Sequence, residues 1–134
     1  MNKPIVVLDT NIYVSATFWS GRPYLVIQKA INQDTITFIS QDIIAELERV
    51  LKRDFLIPKE DINEIIDSVL FFTHLIKPKE KLLVIKEDPD DDRVLECALA
   101  CKAEFIVTQD KHLLKLKGFR KIKIISPKQF LDLA

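Results

Sequence analysis

Short apolar runs alternate with amphipathic stretches along the chain, and this alternation constrains the fold more than any other feature. The first run, residues 4–8, begins at a proline, is rich in β-branched residues and ends directly before Asp9. A continuous apolar run of this length is typical of a strand that is buried on both faces of a sheet. Further runs of strand character occupy residues 35–39, 82–85, 104–108 and 122–125.

Helical patterns fill the intervals between these runs. Thr10 or Asn11 can cap a helix after the first run, and the breaker at residues 21–23 separates it from a second helical pattern. Ser40 is a suitable N-cap for the next helix, and residues 126–127 (Ser-Pro) are a typical helix start. The remaining helices are expected at residues 61–76 and 91–102. The alternation predicts an α/β fold with a mostly parallel sheet and helices on both faces.

The composition excludes several classes of protein. At 134 residues the chain is expected to form one domain, residues 1–134. Its two glycines are too few for the glycine-rich loops with which common nucleotide-cofactor enzymes bind phosphate. The longest apolar stretch, residues 97–101, is far too short for a membrane span, and the start of the chain has no signal-peptide pattern. We therefore expect a cytoplasmic protein with no membrane contact, in which Cys97 and Cys101 are reduced core residues.

Two carboxylates follow strands of the predicted parallel sheet. Asp9 comes directly after the first run, and Asp110 closely follows the run that ends at Val107. The carboxyl ends of parallel strands share one edge of a sheet, and ligands bind at that edge in folds of this class. Both side chains are therefore expected at the same rim.

Two further acids are candidates for this rim. Glu46 borders an otherwise apolar helix face, and Asp92 lies in the first turn of its helix, close to Leu95. Taken singly, each acid has an ordinary explanation as a helix cap, a helix-dipole acid, a turn residue or a surface residue. Taken together, crowded carboxylates raise one another's pKa and are tolerated chiefly around a divalent cation. Oxygen ligands without His or Cys favour Mg²⁺ or Mn²⁺ over zinc.

Four motifs, in this order, carry a resemblance to a known family. They occupy residues 6–11, 40–46, 88–95 and 106–110, with the sequences VVLDTN, SQDIIAE, DPDDDRVL and IVTQD. The set resembles the PIN-domain ribonucleases, and in particular the PIN toxins of prokaryotic toxin–antitoxin systems. The resemblance implies a three-layer α/β/α sandwich with a central, mostly parallel sheet of about five strands. It also implies a metal-dependent endoribonuclease that acts on RNA and is restrained by a cognate antitoxin.

The resemblance also assigns site residues in this chain. The family's four acids, expected to be both catalytic and metal-binding, match Asp9, Glu46, Asp92 and Asp110. In the implied mechanism three of them hold Mg²⁺ or Mn²⁺, while Glu46 shares a metal or orients the attacking water. Asn11 and Thr108 match polar positions that support the acids.

The third acid is chosen from a crowded turn. Asp88, Asp90 and Asp91 precede Asp92 in the same short segment, and each is an alternative. Asp92 is preferred because it lies three residues before Leu95, the spacing that the family shows between its helix acid and the next buried aliphatic residue.

The basic and aromatic residues outside these motifs leave alternatives open. Residues 111–128 contain seven Lys or Arg and no acid. Lys115, Lys117 and Arg120 are candidates for contact with an RNA backbone, although a solvated surface also explains them. Phe18 with Trp19 suits a lid, a contact in a homodimer or higher homo-oligomer, or core packing.

Two other functions compete with a ribonuclease. A catalytically idle PIN fold would serve as a binding module, and metal titration would distinguish it from an enzyme. A response-regulator-like phosphoacceptor also places acids at strand ends around Mg²⁺, but the lysine that such a fold carries at a late strand end is not apparent in this sequence.

Overall fold

The computed structural model describes residues 3–133 as helices packed around one sheet. The strands are β1 (Ile5–Leu8), β2 (Ile36–Ile39), β3 (His74–Leu75), β4 (Phe105–Val107), β5 (Gly118–Phe119) and β6 (Ile122–Ile125). The helices are α1 (Thr10–Phe18), α2 (Arg22–Ile31), α3 (Gln41–Arg53), α4 (Lys59–Phe72), α5 (Pro89–Cys101), α6 (Lys111–Leu116) and α7 (Pro127–Leu131). Within the described residues the strand order is β3-β2-β1-β4-β6-β5, and only β5 is antiparallel to its neighbour.

The two central strands are buried on both faces, as their continuous apolar sequences predict. Val6 and Val7 point to opposite faces of β1, yet their side chains are 1% and 0% exposed. All three residues of β4 are also buried. Helices therefore cover both faces of the sheet, and the predicted α/β/α layering with a mostly parallel sheet is confirmed. The described sheet has six strands rather than about five because β3 and β5, each two residues long, extend its edges.

The strand expected at residues 82–85 does not form. Backbone N–H groups of this segment donate to the carboxylates of Asp92 and Glu96 on α5, so they are satisfied without a strand ladder. We call residues 82–85 the strap. The helix expected at residues 61–76 ends earlier, at Phe72, and the residues after it form β3 and pair with β2.

Helix starts follow the cap chemistry of the sequence, with one correction. The Ser40 hydroxyl accepts the Ile43 N–H at 3.3 Å, and Ser126 forms a capping box with Gln129 at the start of α7. The expectation that Thr10 or Asn11 caps the first helix is wrong. Asp9 itself is the N-cap of α1, so Thr10 and Asn11 lie within its first turn.

The order of the strands creates a crevice between β1 and β4. From β1 the chain builds outward through β2 to β3, and α5 then returns it to the other side of β1. Such a switch point leaves a gap at the carboxyl ends of the two central strands, where open α/β sheets bind ligands. Asp9 follows β1, and Asp110 lies three residues beyond the end of β4 at this edge.

The structure also bears on the two cysteines and on membrane-spanning helices. Cys97 and Cys101 are buried free thiols on α5, as predicted. Among residues 3–133 no helix combines the length and the apolar character that a bilayer span requires.

Candidate metal centre and active site

A cleft of about 280 Å³ lies at the carboxyl ends of β1 and β4. Its polar wall is formed by Asp9, Thr10, Asn11, Ser15, Glu46, Asp88, Asp91 and Asp110, and its apolar wall by Val14, Trp19, Val50 and Phe55. We call it the acidic cleft. A larger cleft of about 630 Å³ lies beside residues 77–81. The Glu96 carboxylate there is already paired with Arg93, so the chemistry concentrates in the smaller cleft.

Asp9 is held at the centre of the acidic cleft by three donors. Its Oδ1 accepts the Thr10 N–H at 2.7 Å, and its Oδ2 accepts Thr108 Oγ1 at 2.6 Å and Asn11 Nδ2 at 3.2 Å. Burial raises the pKa of Asp9 to about 6, although the bonds from Thr108 and Thr10 lower it. Since two carboxylate oxygens offer about four acceptor sites, the anchored Asp9 retains capacity for a cation.

Asp110 is anchored through the same hydroxyl. Thr108 Oγ1 accepts the Asp110 N–H at 2.9 Å while it donates to Asp9, so one side chain couples the ends of both central strands. Asp110 is also the N-cap of α6, where its Oδ1 accepts the N–H groups of His112 and Leu113. Thr108 and Asn11 therefore both donate to Asp9, and Thr108 also accepts from the backbone of Asp110.

Asp91 is a buried carboxylate of the cleft that is crowded by other acids. One oxygen from each of Asp88, Asp91 and Asp110 lies within 4.8 Å of the others. Asp91 is buried, and its Oδ2 has no hydrogen-bond partner among the described residues. Burial and the neighbouring charges of Asp110, Asp9 and Asp88 raise the pKa of Asp91 to about 9.

Glu46 reaches the cleft from α3. Its Oε1 accepts a short hydrogen bond from the Thr10 hydroxyl. Burial raises the pKa of Glu46 to about 7, and the charges of Asp90 and Asp9 add to this effect while the Thr10 bond opposes it. The carboxyl group is therefore poised to exchange a proton near neutral pH.

Sequence comparison identifies the family of this fold. A family model described as a PIN domain matches residues 5–112. The chain belongs to the PIN-domain family. Among curated proteins, none matches the sequence of this PIN domain significantly.

Two solved structures resemble this PIN domain. One is VapBC2 from Rickettsia felis bound to a DNA fragment from their promoter, with 21% identity and a TM-score of 0.65 over 91% of this chain and 98% of that chain. The other is the PIN domain of RRP44 from T. brucei, with 14% identity and a TM-score of 0.55 over 97% of this chain and 80% of that chain. At these identities the likeness shows the fold.

The structure brings three of the four sequence-selected acids into the acidic cleft of the PIN domain and directs Asp92 elsewhere. Asp92 is buried, but its Oδ1 accepts the N–H groups of Val84 and Ile85 in the strap at 3.0 and 2.9 Å. The expectation that Asp92 faces the rim is therefore corrected. Asp91, one of the alternatives in the same turn, occupies the cleft instead, together with Asp88.

The signal that separates these neighbours is the Asp88-Pro89 pair. Asp before Pro is typical of an N-cap followed by the first helical residue, and the structure has this arrangement at the start of α5. With that register, Asp91 lies three residues after the cap and therefore on the same helix face as Asp88. Asp92 lies four residues before Glu96 and therefore on the same face as Glu96. The spacing to Leu95 selected the wrong face.

The basic candidates for RNA contact lie outside the acidic cleft. Lys115, Lys117 and Arg120 are exposed, and none of them lines it. Arg120 pairs with Glu80 at 3.2 Å and precedes the start of β6. Because β6 is parallel to β4, Arg120 lies at the amino ends of these strands, whereas the acids lie at the carboxyl ends.

The residues of the cleft fit a divalent cation. The chemistry of the donor set is all oxygen, with Asp9, Asp88, Asp91 and Asp110 as carboxylates, which suits a hard ion. The second observation is the buried Asp91 Oδ2, which has no hydrogen-bond partner in the part of the chain that the structure describes. Such an acceptor is costly unless something satisfies it. Positive charge between these groups would compensate both the desolvation and the mutual repulsion.

Proposed function

We propose that this PIN domain, extending over residues 1–134, is a divalent-metal-dependent endoribonuclease that hydrolyses phosphodiester bonds of RNA. The observation that carries the proposal is the convergence of Asp88, Asp91 and Asp110 within 4.8 Å, with a buried Asp91 oxygen that has no hydrogen-bond partner within residues 3–133. An idle binding module gains nothing from carboxylates forced together in this way, since they destabilise the folded state. Membership of the PIN-domain family supports the same function.

Mg²⁺ or Mn²⁺ would be held by Asp88, Asp91 and Asp110, with Asp9 beside them. A divalent ion at such a site supplies charge for the phosphate and lowers the pKa of water. Asp9 contributes a fixed carboxylate, because Thr10, Asn11 and Thr108 hold both of its oxygens in place. Its orientation does not have to be established anew when substrate binds.

Glu46 would take the proton from the attacking water. Its pKa of about 7 lets it accept a proton near neutral pH, and the Thr10 hydroxyl fixes its direction. The water would then attack phosphorus directly, the P–O bond to one ribose oxygen would break, and that oxygen would leave and take up a proton from solvent, with no covalent bond to the protein. This route separates the proposal from a phosphoacceptor domain, in which an aspartate would become phosphorylated.

Cleavage of single-stranded RNA tests the proposal. We expect cleavage with Mn²⁺ or Mg²⁺, none in chelator, and a loss of at least about a hundredfold for Asp91→Asn, because that variant removes a ligand charge. Glu87→Gln is the matched control: Glu87 belongs to the same acidic run but is exposed and lies outside the cleft, so its activity should stay at the wild-type level. Equal cleavage with and without metal would refute the mechanism.

We assign the nuclease, within the same proposal, to the toxin of a toxin–antitoxin pair that acts in the cytoplasm. The fold similarity to the VapBC2 toxin–antitoxin complex supports this assignment. Induced expression should arrest growth of the host cell, and Asp91→Asn should abolish the arrest. A neighbouring reading frame for a small DNA-binding protein should relieve it on co-expression, and the absence of any such gene product would count against the pairing.

A further inference from the structure

The apolar wall of the acidic cleft has no role in metal binding, and it centres on Trp19. We propose that Trp19 is a stacking platform for an unpaired base of single-stranded RNA, on a nucleotide next to the phosphate that the acids engage. This inference rests on the proposed function, because it takes the acidic cleft as the place where the phosphate binds. It adds a substrate-binding residue to that function.

Trp19 is an exposed aromatic residue with a supported position. Its side chain is 60% exposed and lines the acidic cleft. Phe18 and Phe55 stack on each other at 4.4 Å, and both contact the indole at steep angles, with ring centroids 5.7 and 6.3 Å away. Neither neighbour lies parallel to the indole, so Trp19 keeps surface on which a further ring can stack.

Helix α1 sets the distance between the platform and the acids. Asp9 is its N-cap and Trp19 its C-cap, so the ten residue steps between them separate the two ends by about 15 Å along the axis. Both ends nevertheless line one cleft. The platform therefore lies beside the reacting phosphate rather than on it, which suits the base of a flanking nucleotide.

The acidic cleft has a carboxylate wall next to an aromatic wall, and the two together favour a nucleotide as the ligand. With a divalent cation bound, the carboxylate wall would attract phosphate, and the adjoining wall of Trp19 and Phe55 favours a flat aromatic group. A nucleotide presents both groups in one unit. In a duplex the base faces are covered by their neighbours, so only an unpaired base can stack on a protein side chain.

The intrinsic fluorescence of the protein reports on this contact directly, because Trp19 is the only tryptophan in the sequence. The protein is titrated with hexauridylate and hexaadenylate in Ca²⁺, and gel analysis checks that the strands stay intact. We expect both strands to quench the emission. A G·C-rich RNA duplex that stays paired at the assay temperature, and a sugar-phosphate strand without bases, should leave the emission unchanged.

Variants at the platform give the second readout. Trp19→Ala should weaken binding of the single strands about tenfold and raise KM with kcat retained, whereas Trp19→Phe should stay close to wild type because it keeps an aromatic face. Phe71→Ala is the matched control, since Phe71 is 92% exposed and lies outside the acidic cleft. Its binding and KM should not change.

The outcomes separate this inference from the proposed function. If the wild type cleaves RNA and Trp19→Ala binds and cleaves it with the same KM, the stacking role is wrong while the nuclease stands. If the emission is quenched by single strands but no RNA is cleaved in metal, the nuclease is wrong while the platform stands. If the emission responds only to a protein antitoxin, the wall is a protein contact and the stacking role is wrong.

Discussion

Asp91 and Asp92 are adjacent in the sequence but serve different purposes. One step along an α-helix turns the side chain by about 100°, which is enough to direct Asp91 into the acidic cleft and Asp92 into the strap. Asp92 has backbone donors for its charge, while the buried Asp91 Oδ2 has no partner among the described residues. At the residue scale, the partners of a carboxylate therefore distinguish a structural acid from a candidate ligand.

Asp91→Asn should separate stability from metal binding. The neutral amide removes the repulsion and the desolvation of charge that raise the Asp91 pKa to about 9. Without metal, the free energy of unfolding of the variant should therefore equal that of wild type or exceed it by about 1 kcal/mol. Added Mn²⁺ should raise the melting temperature of wild type more than that of the variant, because binding to the folded state stabilises it.

Thermal melts in chelator and in Mn²⁺ measure both effects. Glu87→Gln removes the same charge from the exposed part of the acidic run, so its metal-induced shift should equal that of wild type. A variant at Asp91 that loses stability in chelator and keeps the full metal-induced shift would assign Asp91 to the scaffold.

At the element scale, α5 performs two tasks with two different faces near its start. The face of Asp88 and Asp91 borders the acidic cleft, and the face of Asp92 and Glu96 holds the strap. Only two residues separate the strap from Asp88, so its attachment to α5 also restrains the start of the helix. A loop with three backbone donors bound by two carboxylates is locally as well satisfied as a strand.

Asp92→Ala and Asp92→Asn should differ in their effect on the strap. Alanine leaves the Val84 and Ile85 N–H groups without their acceptor, which should cost about 2 kcal/mol and speed amide exchange at both residues. Asparagine keeps one carbonyl oxygen at the position that accepts both bonds, so it should restore most of the stability and exchange protection. Its metal-induced melting shift should stay close to that of wild type.

Hydrogen exchange monitored by NMR and chemical unfolding measure these changes. Equal exchange rates in the two variants, or a lost metal shift in Asp92→Asn, would contradict the structural role of Asp92 and return it to the set of candidate ligands.

At the scale of the whole molecule, the sheet topology gathers acids from four separate parts of the chain. Asp9, Glu46, Asp91 and Asp110 come from the ends of β1 and β4 and from two helices. The pKa values of Asp9, Glu46 and Asp91 are all raised, to about 6, 7 and 9, with burial as the first cause. The metal-free fold therefore retains protons that the unfolded chain would release.

The stability of the metal-free protein should fall as pH rises. For Asp91 the window runs from the ordinary pKa of 3.8 to about 9, and in it the folded state binds more protons than the unfolded state. Each such carboxyl lowers the free energy of unfolding by up to about 1.4 kcal/mol for each pH unit within its window. The decrease should end above the folded pKa values, where both states are ionised.

Urea unfolding in chelator between about pH 5 and about pH 8 measures this dependence. Asp91→Asn should make stability less dependent on pH. Saturating Mn²⁺ should oppose the loss of stability at higher pH, because the metal binds the ionised carboxylates and its binding therefore tightens as pH rises. Stability that is level or increases with pH in chelator would show that the acids are not crowded as described.

The sequence by itself determined the central strands, several helix starts and the position of the rim. Continuous apolar runs such as β1 and β4 require burial on both faces, and parallel strands place Asp9 and Asp110 at one edge. Cap residues such as Ser40 and Ser126 determined where helices begin, because they satisfy local backbone donors. These features depend on local chemistry and on periodicity, both of which are present in the sequence.

The Asp88-Pro89 pair sets the helical register that puts Asp91 and Asp92 on different faces. Only the tertiary structure decided which of these faces enters the cleft, that residues 82–85 form a strap, and that Trp19 completes the cleft. Each of these depends on partners distant in sequence: Asp110 for Asp91, Asp92 for the strap, and Phe55 for Trp19. A carboxylate, a backbone N–H group and an aromatic ring each accept several kinds of partner. Their roles are therefore set by what packing places beside them, which local sequence does not specify.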